Sequence, residues 1–290
     1  MGGFGRRTAA PSRAFASLRV VWRRRSAAVG LIVALGVVAL AVLAPITAGQ
    51  DPLEQRLADK MRPPGGKYLL GTDPLGRDLW SRLVWGARVS LTVGVVAVAI
   101  AAGIGLVIGL SAGYFGGRLD AVLMRTVDVL MSFPLILLAI AIVAVLGGGL
   151  ANLMLAVGIS SVPPFARLVR GEVLGARRRD YVEAARAIGA AHARIMARHI
   201  LPNIVSSIVV LATLRVSTVI LTESALSFLG LGISPPTPTW GSMIADGTKW
   251  LRVAPWISII PGVAIMVTVL AFNLFGDGLR DALDPRLRGE

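Results

Sequence analysis

The chain has 290 residues, 55% hydrophobic and 16% charged, with a mean hydropathy of +0.73 and a formal net charge of +14. Soluble globular proteins carry about 25% charged residues, so an ordinary soluble enzyme and any disordered or fibrous class are excluded. Cysteine is absent and there are two histidines, His192 and His199, which removes disulfides and thiolate sites and leaves little material for a metal centre.

Taken in chain order, six stretches are apolar enough to cross a bilayer, which takes about 20 residues of helix. They lie at roughly 27–45, 89–113, 126–146, 150–168, 204–223 and 255–276. The first is read as a retained helix, because its apolar part exceeds a signal-peptide core and no small-residue cleavage site follows. Between the first and second spans, Asp73 followed by Pro74 reads as a helix N-cap with proline at the first helical position. The turns after it mix Trp80, Leu83, Val84 and Trp85 with arginines, as an interfacial helix does. Gly147-Gly148-Gly149 divides one long apolar stretch into the third and fourth spans as a hairpin turn. Pro134 and Pro261 are expected to kink the third and sixth spans. Pro235, Pro236 and Pro238 prevent segment 224–254 from being one helix, and its apolar start is read as a re-entrant turn.

Lys and Arg favour the cytoplasmic side. Residues 1–25 hold seven arginines and no acid, which places the N-terminus inside, and six crossings place the C-terminus inside as well. With that orientation 20 of the 30 Lys+Arg lie on cytoplasmic segments and nine on external loops. The excess charge is then an orientation signal. Nucleic acid is not expected as a partner, since no basic surface interleaved with aromatics is visible. Trp22, Trp80, Trp85, Trp240, Trp250 and Trp256 fall where interfacial aromatic belts form.

Gly105, Gly109 and Gly113 share one face of the second span and allow another backbone to approach closely, within the subunit or from a second one. Asp128 is expected to pair with Arg125 one turn away. Arg215 lies midway along the fifth span with Glu223 eight residues on. The spacing is read as one shared face, about 12 Å along the axis. Charges at this depth need a partner or a wet cavity, so either residue lines a solute path or is held by a neighbouring helix.

Loop 171–203 carries most of the chemistry. Asp180-Tyr-Val-Glu183 has the pattern of a capping box with Asp in place of Ser or Thr. It predicts a helix interrupted at Gly189, then a second short helix stopping near Pro202. Alanines 184, 185, 187, 190, 191 and 193 give it a small face that fits a groove, and arginines 177, 178, 179, 186, 194 and 198 rim it. From composition alone it also suits an amphipathic helix resting on anionic membrane lipid.

The run Glu183-Ala184-Ala185, three residues, Gly189, nine residues, His199-Ile200-Leu201-Pro202 resembles the EAA loop of the membrane subunits of bacterial ABC importers. His199 stands where the family pattern has Ile, a departure often shared by the peptide-importer branch. Further stretches resemble that branch, the second permease of dipeptide, oligopeptide and nickel importers. They are Gly71-Thr72-Asp73-x-x-Gly76-Arg77-Asp78, Phe165–Gly171, Glu223–Gly232 and Ala271–Asp281.

The resemblance implies an all-α membrane protein with the type I ABC importer permease fold: six transmembrane helices and a cytoplasmic coupling helix. The expected organisation is a basic cytoplasmic segment 1–26, a first helix with its external loop 27–88, a five-helix core 89–276 and a cytoplasmic tail 277–290. Glu183, Ala184, Ala185, Gly189, His199, Leu201 and Pro202 are the implied coupling residues. The implied partners are a second homologous permease, two ABC ATPase subunits or domains, and an extracytoplasmic solute-binding protein. Peptides are the implied substrate, with nickel, glutathione or another small solute as alternatives. ATP and Mg belong to the partner ATPase, since this chain has no G-x-x-x-x-G-K-[ST] loop; no catalytic residue, metal or cofactor is assigned to it. An ion-driven secondary transporter would show inverted repeats, and a membrane enzyme would show convergent catalytic groups. Neither feature is visible in the sequence.

Overall fold

The computed structural model describes residues 24–283. Within them all regular structure is helical, apart from two isolated bridges, Gly65 with Tyr68 and Thr72 with Asp78. The N-terminal segment up to Arg23, with five of the seven arginines and Trp22, and the tail beyond Leu283 lie outside the described residues.

Helix α1 spans Arg25–Val42. After a connection of mostly irregular structure, α2 runs from Leu79 to Phe115, 37 residues or about 55 Å. It is capped by Asp78, whose carboxylate accepts from the Ser81 amide at 2.8 Å. This corrects the expected cap at Asp73. Gly76 at φ +72° turns the chain before a helix can start, and Asp73 instead accepts from the amides of Leu75 and Arg77. The expected interfacial helix is therefore the first turns of α2, with Leu79 and Val84 buried.

Gly116 and Gly117, at φ +70° and +58°, end α2 and start α3, Gly117–Met131. Pro134 lacks an amide proton and disfavours helix at the residue before it. The chain accordingly bends by 95° into α4, Leu135–Leu146. The predicted span 126–146 is thus broken, and α4 alone covers only about 18 Å. Gly147 and Gly149, both at positive φ, make the expected hairpin turn, and Asn152 Nδ2 donates to the Leu146 carbonyl across it at 2.8 Å. Helix α5, Leu150–Ser160, meets α6, Val162–Ala176, at 41°, where α6 opens with prolines.

Helix α7, Asp180–Ala187, leads through Gly189 into α8, His192–Phe228. Helix α9, Trp240–Thr248, precedes α10, Trp256–Leu283. Pro261 sits inside α10, which continues past it. Among the described residues four helices (α1, α2, α8, α10) are long and apolar enough to cross a membrane, and up to six spans result if each bent pair counts as one.

The core is organised around α2. Gly105, Gly109 and Gly113 face α6 of the same chain: a methyl group on them would lie 2.5 Å from Phe165 Cβ, 2.5 Å from the Ala166 carbonyl and 2.8 Å from Val173 Cβ. The contacts advance together along both helices, so α2 and α6 run parallel with backbones nearly touching. Helix α1 packs on α10 through Gly30, where a methyl would meet Leu274 Cβ at 2.7 Å, and Arg24 pairs with Asp281. Trp240 is buried and donates from Nε1 to the Leu83 carbonyl at 3.0 Å. It is a core residue, not the interfacial anchor expected from its position.

Candidate functional site

Segment 177–204 folds as a cap over the ends of α2 and α6. Helix α7 starts one residue earlier than the sequence pattern indicates: Arg179 is its N-cap and no side chain caps it. Asp180 is therefore inside the helix, and the expected capping box does not form. Val182 and Ala185 point inward, where they share a buried cluster with Val169, Val173, Ile195, Ile200 and Ile204. Glu183, Ala184 and Ala187 face outward. Of the alanines expected on the small docking face, Ala185 belongs to the core instead.

The end of α7 explains Gly189. The Ala190 amide donates to the Ala185 carbonyl at 3.0 Å, and the Gly189 amide to the Arg186 carbonyl at 2.9 Å. This pair of bonds is a Schellman closure, which places its central residue in the left-handed region; Gly189 has φ +76°. No atom lies within 4 Å of a methyl group built there, so glycine is required by backbone conformation and not by space inside the chain. Phe228 and Gly230 close α8 in the same way, with Leu231 bonded to Leu226 and Gly230 to Ser227.

Ile188, next to Gly189, is 85% exposed, and Tyr181 is exposed beside it. Sequence reasoning passed over Ile188, although an isoleucine at a glycine turn amid alanines and arginines is a visible anomaly. The outward surface thus offers an apolar tip flanked by Glu183, Ala184 and exposed Arg178, Arg179, Arg186, Arg194 and Arg198. Beside it an open cleft of about 920 Å³ is bordered by Arg167, Gly171, Gly175, Arg179 and Tyr181.

His199, Leu201 and Pro202 do not end a short helix. They lie where a π-helical turn, Ile195–Ile200, passes into the long helical stretch Leu201–Phe228. Pro202 brings no amide proton and crowds the carbonyl one turn back, and the wider π turn accommodates it. The His199 carbonyl accepts from Asn203 Nδ2 at 2.6 Å. Glu183 and Pro202 are thus on separate elements, joined through the cluster of Ile195, Ile200 and Ala185.

Two ion pairs tie α3 to α6. Arg170 holds Asp120 through both carboxylate oxygens at 2.5 and 2.6 Å, and Arg167 meets Asp128 at 2.6 Å. The partner of Asp128 is therefore Arg167, not Arg125 as its spacing suggested. These pairs are partly or half exposed.

Arg215 and Glu223 are not brought together. Eight residues of helix turn through about 80° beyond two full turns, so the two residues face different neighbours. Glu223 is fully buried and accepts from the Ser227 hydroxyl at 2.7 Å and the Ser224 hydroxyl at 3.4 Å. Arg215 is half-buried and has no polar partner among the described residues.

The opposite end of the molecule carries a second polar construction. Asp73 accepts from Arg77 Nε at 2.5 Å and lies 3.5 Å from Arg82 Nε. All three are buried. Arg82 also donates to the Pro52 carbonyl at 3.3 Å, and Arg77 reaches Asp246 at 4.0 Å. Thr72 accepts from the Arg62 amide at 2.8 Å. Tyr68 donates to Asp59 at 2.6 Å, which holds that carboxylate below its ordinary pKa, with Arg62 and Lys67 adding to the effect. Among the described residues no group of three or more His, Asp or Glu could hold a metal ion.

Residues 105–289 match the family described as binding-protein-dependent transport system inner membrane component. The chain is 44% identical over 266 residues to the dipeptide transport system permease protein DppC of Alkalihalophilus pseudofirmus, covering 92% of this chain and 88% of that one. It is 47% identical over 276 residues to the glutathione transport system permease protein GsiD of Pectobacterium atrosepticum, covering 93% and 91%. Among solved structures it resembles a chain of the MetNI methionine ABC transporter in an inward facing conformation. The TM-score is 0.56 at 21% identity, over 70% of this chain and 97% of that one. A chain of an amino acid ABC transporter aligns with a TM-score of 0.53 at 19% identity, over 68% of this chain and 91% of that one. At these identities the structural matches establish a shared fold.

Proposed function

This chain belongs to the family of binding-protein-dependent transport system inner membrane components, and on that footing we propose that it forms half of a peptide-conducting pathway. It is a permease subunit of an ABC importer. The other half of the pathway is a second, homologous permease. Two ATPase subunits or domains, carrying ATP and Mg, dock on the 171–203 end, which is cytoplasmic together with both termini. A solute-binding protein docks on the 49–78 end. The six-span count follows if α3 with α4 and α5 with α6 are each one broken crossing.

The observation that carries this reading is the exposed tip Glu183–Gly189, seated on the ends of α2 and α6. Its outward residues are the apolar Ile188 and the small Ala184 and Ala187, flanked by the charges of Glu183 and Arg186, its inward residues are locked into a buried cluster, and its turn leaves open space outside Gly189. A segment built this way transmits a push from a partner to the helices beneath it. Peptides are the substrate class favoured by the similarity to permeases named for dipeptide and glutathione transport. Arg215, without a polar partner among the described residues, is the pathway residue proposed to meet the carboxylate of a passing peptide. Glu223, held among serines, serves helix packing.

The test is to tag the chain, extract it gently from its native membrane and identify its companions by mass spectrometry. A second permease with ATPase subunits, and ATP-dependent peptide uptake by the reconstituted complex, is the expected result. A chain that transports alone, without ATP and in response to an ion gradient, overturns the reading.

A further inference from the structure

The proposed coupling segment is fastened to a helix that the EAA pattern does not include. The last turn of α2 carries Tyr114, which is buried beneath α7 and the start of α8. Its hydroxyl is 2.9 Å from His192 Nδ1; with the imidazole proton on Nε2, the phenol donates. The His192 ring also meets the Tyr114 ring edge-on at 5.6 Å, and the Arg186 guanidinium lies over the Tyr114 ring at 5.4 Å. Arg177 donates to the Gly113 and Tyr114 carbonyls at 3.0 and 3.2 Å, satisfying two groups that the helix end would leave unpaired. One residue thus gathers groups from just before α7, from α7 itself and from the first turn of α8.

We infer that Tyr114 is the positioning residue through which the coupling segment drives α2, by way of its hydroxyl bond to His192. This rests on the reading that segment 171–203 docks an ATPase. Ring packing alone would hold the two parts together. The hydroxyl bond adds direction, fixing how the start of α8 sits against the end of α2. Because α2 is continuous from its Asp78 cap to Phe115, a displacement at His192 is delivered about 55 Å away, beside the Asp73–Arg77–Arg82 cluster. The same rod carries the docking of a solute-binding protein back to the ATPase.

The test uses the whole complex in proteoliposomes with its solute-binding protein. Tyr114→Phe keeps the ring and removes only the hydroxyl. His192→Gln keeps an acceptor within reach, and His192→Leu does not. ATP hydrolysis with and without the binding protein, and solute imported per ATP, are measured for each. The ATPase subunits are expected to co-purify with every variant. Tyr114→Phe and His192→Leu lose about fivefold in stimulation by the binding protein, the effect of one hydrogen bond, while His192→Gln stays near wild type. Wild-type stimulation and stoichiometry in Tyr114→Phe, or a loss in His192→Gln equal to that in His192→Leu, overturns the inference. If no ATPase accompanies even the wild-type chain, the docking reading itself fails and the inference falls with it.

Discussion

Replacing Asp73 with Asn isolates the value of one negative charge. The amide oxygen of Asn still accepts from the Leu75 and Arg77 amides, which Asp73 Oδ1 serves at 2.9 and 3.0 Å. What is lost is the one buried anion that, among the described residues, pairs with both buried guanidiniums, at 2.5 and 3.5 Å. Asp246 is farther, at 4.0 Å from Arg77, and is itself exposed. Breaking a buried pair by removing one partner costs about 3–5 kcal/mol, because the remaining charge stays desolvated. At about 2–4 °C per kcal/mol for a chain of this order of size, the thermal midpoint in detergent drops by roughly 10 °C. The internal control is Asp120→Asn. Its bond to Arg170 is as short and is doubly made, yet partly solvated, and such pairs are worth about 0–1 kcal/mol. Adding Arg82→Met to Asp73→Asn removes one of the stranded cations and recovers part of the loss. Equal midpoint shifts for Asp73→Asn and Asp120→Asn would refute the argument that burial, not geometry, sets the strength of these pairs.

Gly189→Ala forces an L-residue into the left-handed region at a cost of about 1–2 kcal/mol and leaves ATP-driven uptake measurable. Gly189→Arg adds a side chain on the outward surface and abolishes uptake while the protein still inserts; normal uptake by this variant contradicts the docking role. Gly109→Leu drives side-chain atoms into the Ala166 carbonyl and Val169 of α6, and should cost at least the 1–3 kcal/mol typical of overpacking, read as a lowered thermal midpoint; an unchanged midpoint disproves the tight α2–α6 contact. Arg215→Gln reduces uptake of a dipeptide at saturating binding protein, with ATPase co-purification intact, and an unchanged uptake rate removes Arg215 from the pathway. The Asp59 carboxylate, with its pKa lowered by Tyr68, contributes stability that is present above about pH 3.9, the unfolded value, and lost as pH falls through the lower folded value. Tyr68→Phe therefore moves acid-induced protease sensitivity of loop 49–78 to higher pH, and an unmoved midpoint denies the hydroxyl that role.

Much of the helical layout is legible in the sequence because lipid imposes it. Long apolar runs, the glycine turn at 147–149 and the break at Pro134 follow from local chemistry. Gly189 and the glycine stripe of α2 are legible too, since each answers a backbone requirement. What the sequence hides is pairing over distance. Asp128 has an arginine three residues away and finds another 39 residues away on α6. Asp73 and Asp78 both look like caps, and only the turn at Gly76 decides between them. Asp180 fits a capping pattern but enters the helix, because Arg179 already supplies the extended residue before it. Tyr114 and His192 are 78 residues apart, so no periodicity marks them as partners. Arg215 and Glu223 show the limit of spacing arguments: two turns and a fraction is enough to send two charges to different neighbours.

The placement of charges divides the molecule mechanically. At the outer end the pairs of Asp73 with Arg77 and Arg82 are buried, so separating them exposes stranded charge and is costly. At the 171–203 end the pairs Asp120–Arg170 and Asp128–Arg167 are partly solvated, and water replaces each partner at little cost. Helix α3, which these pairs hold against α6, can therefore be released and recaptured without unfolding anything. Helices α2 and α6 cannot separate so cheaply, since their glycine contact leaves no room to slide without losing close packing along three turns. A push on the proposed coupling tip is thus expected to move α2 and α6 as one body, with α3 as the yielding element and the outer loop carried along intact. Crosslinking cysteines introduced across α2 and α6, in a chain that has none of its own, should leave transport intact, whereas crosslinks between α3 and α6 should arrest it. The reverse pattern would place the moving joint between α2 and α6.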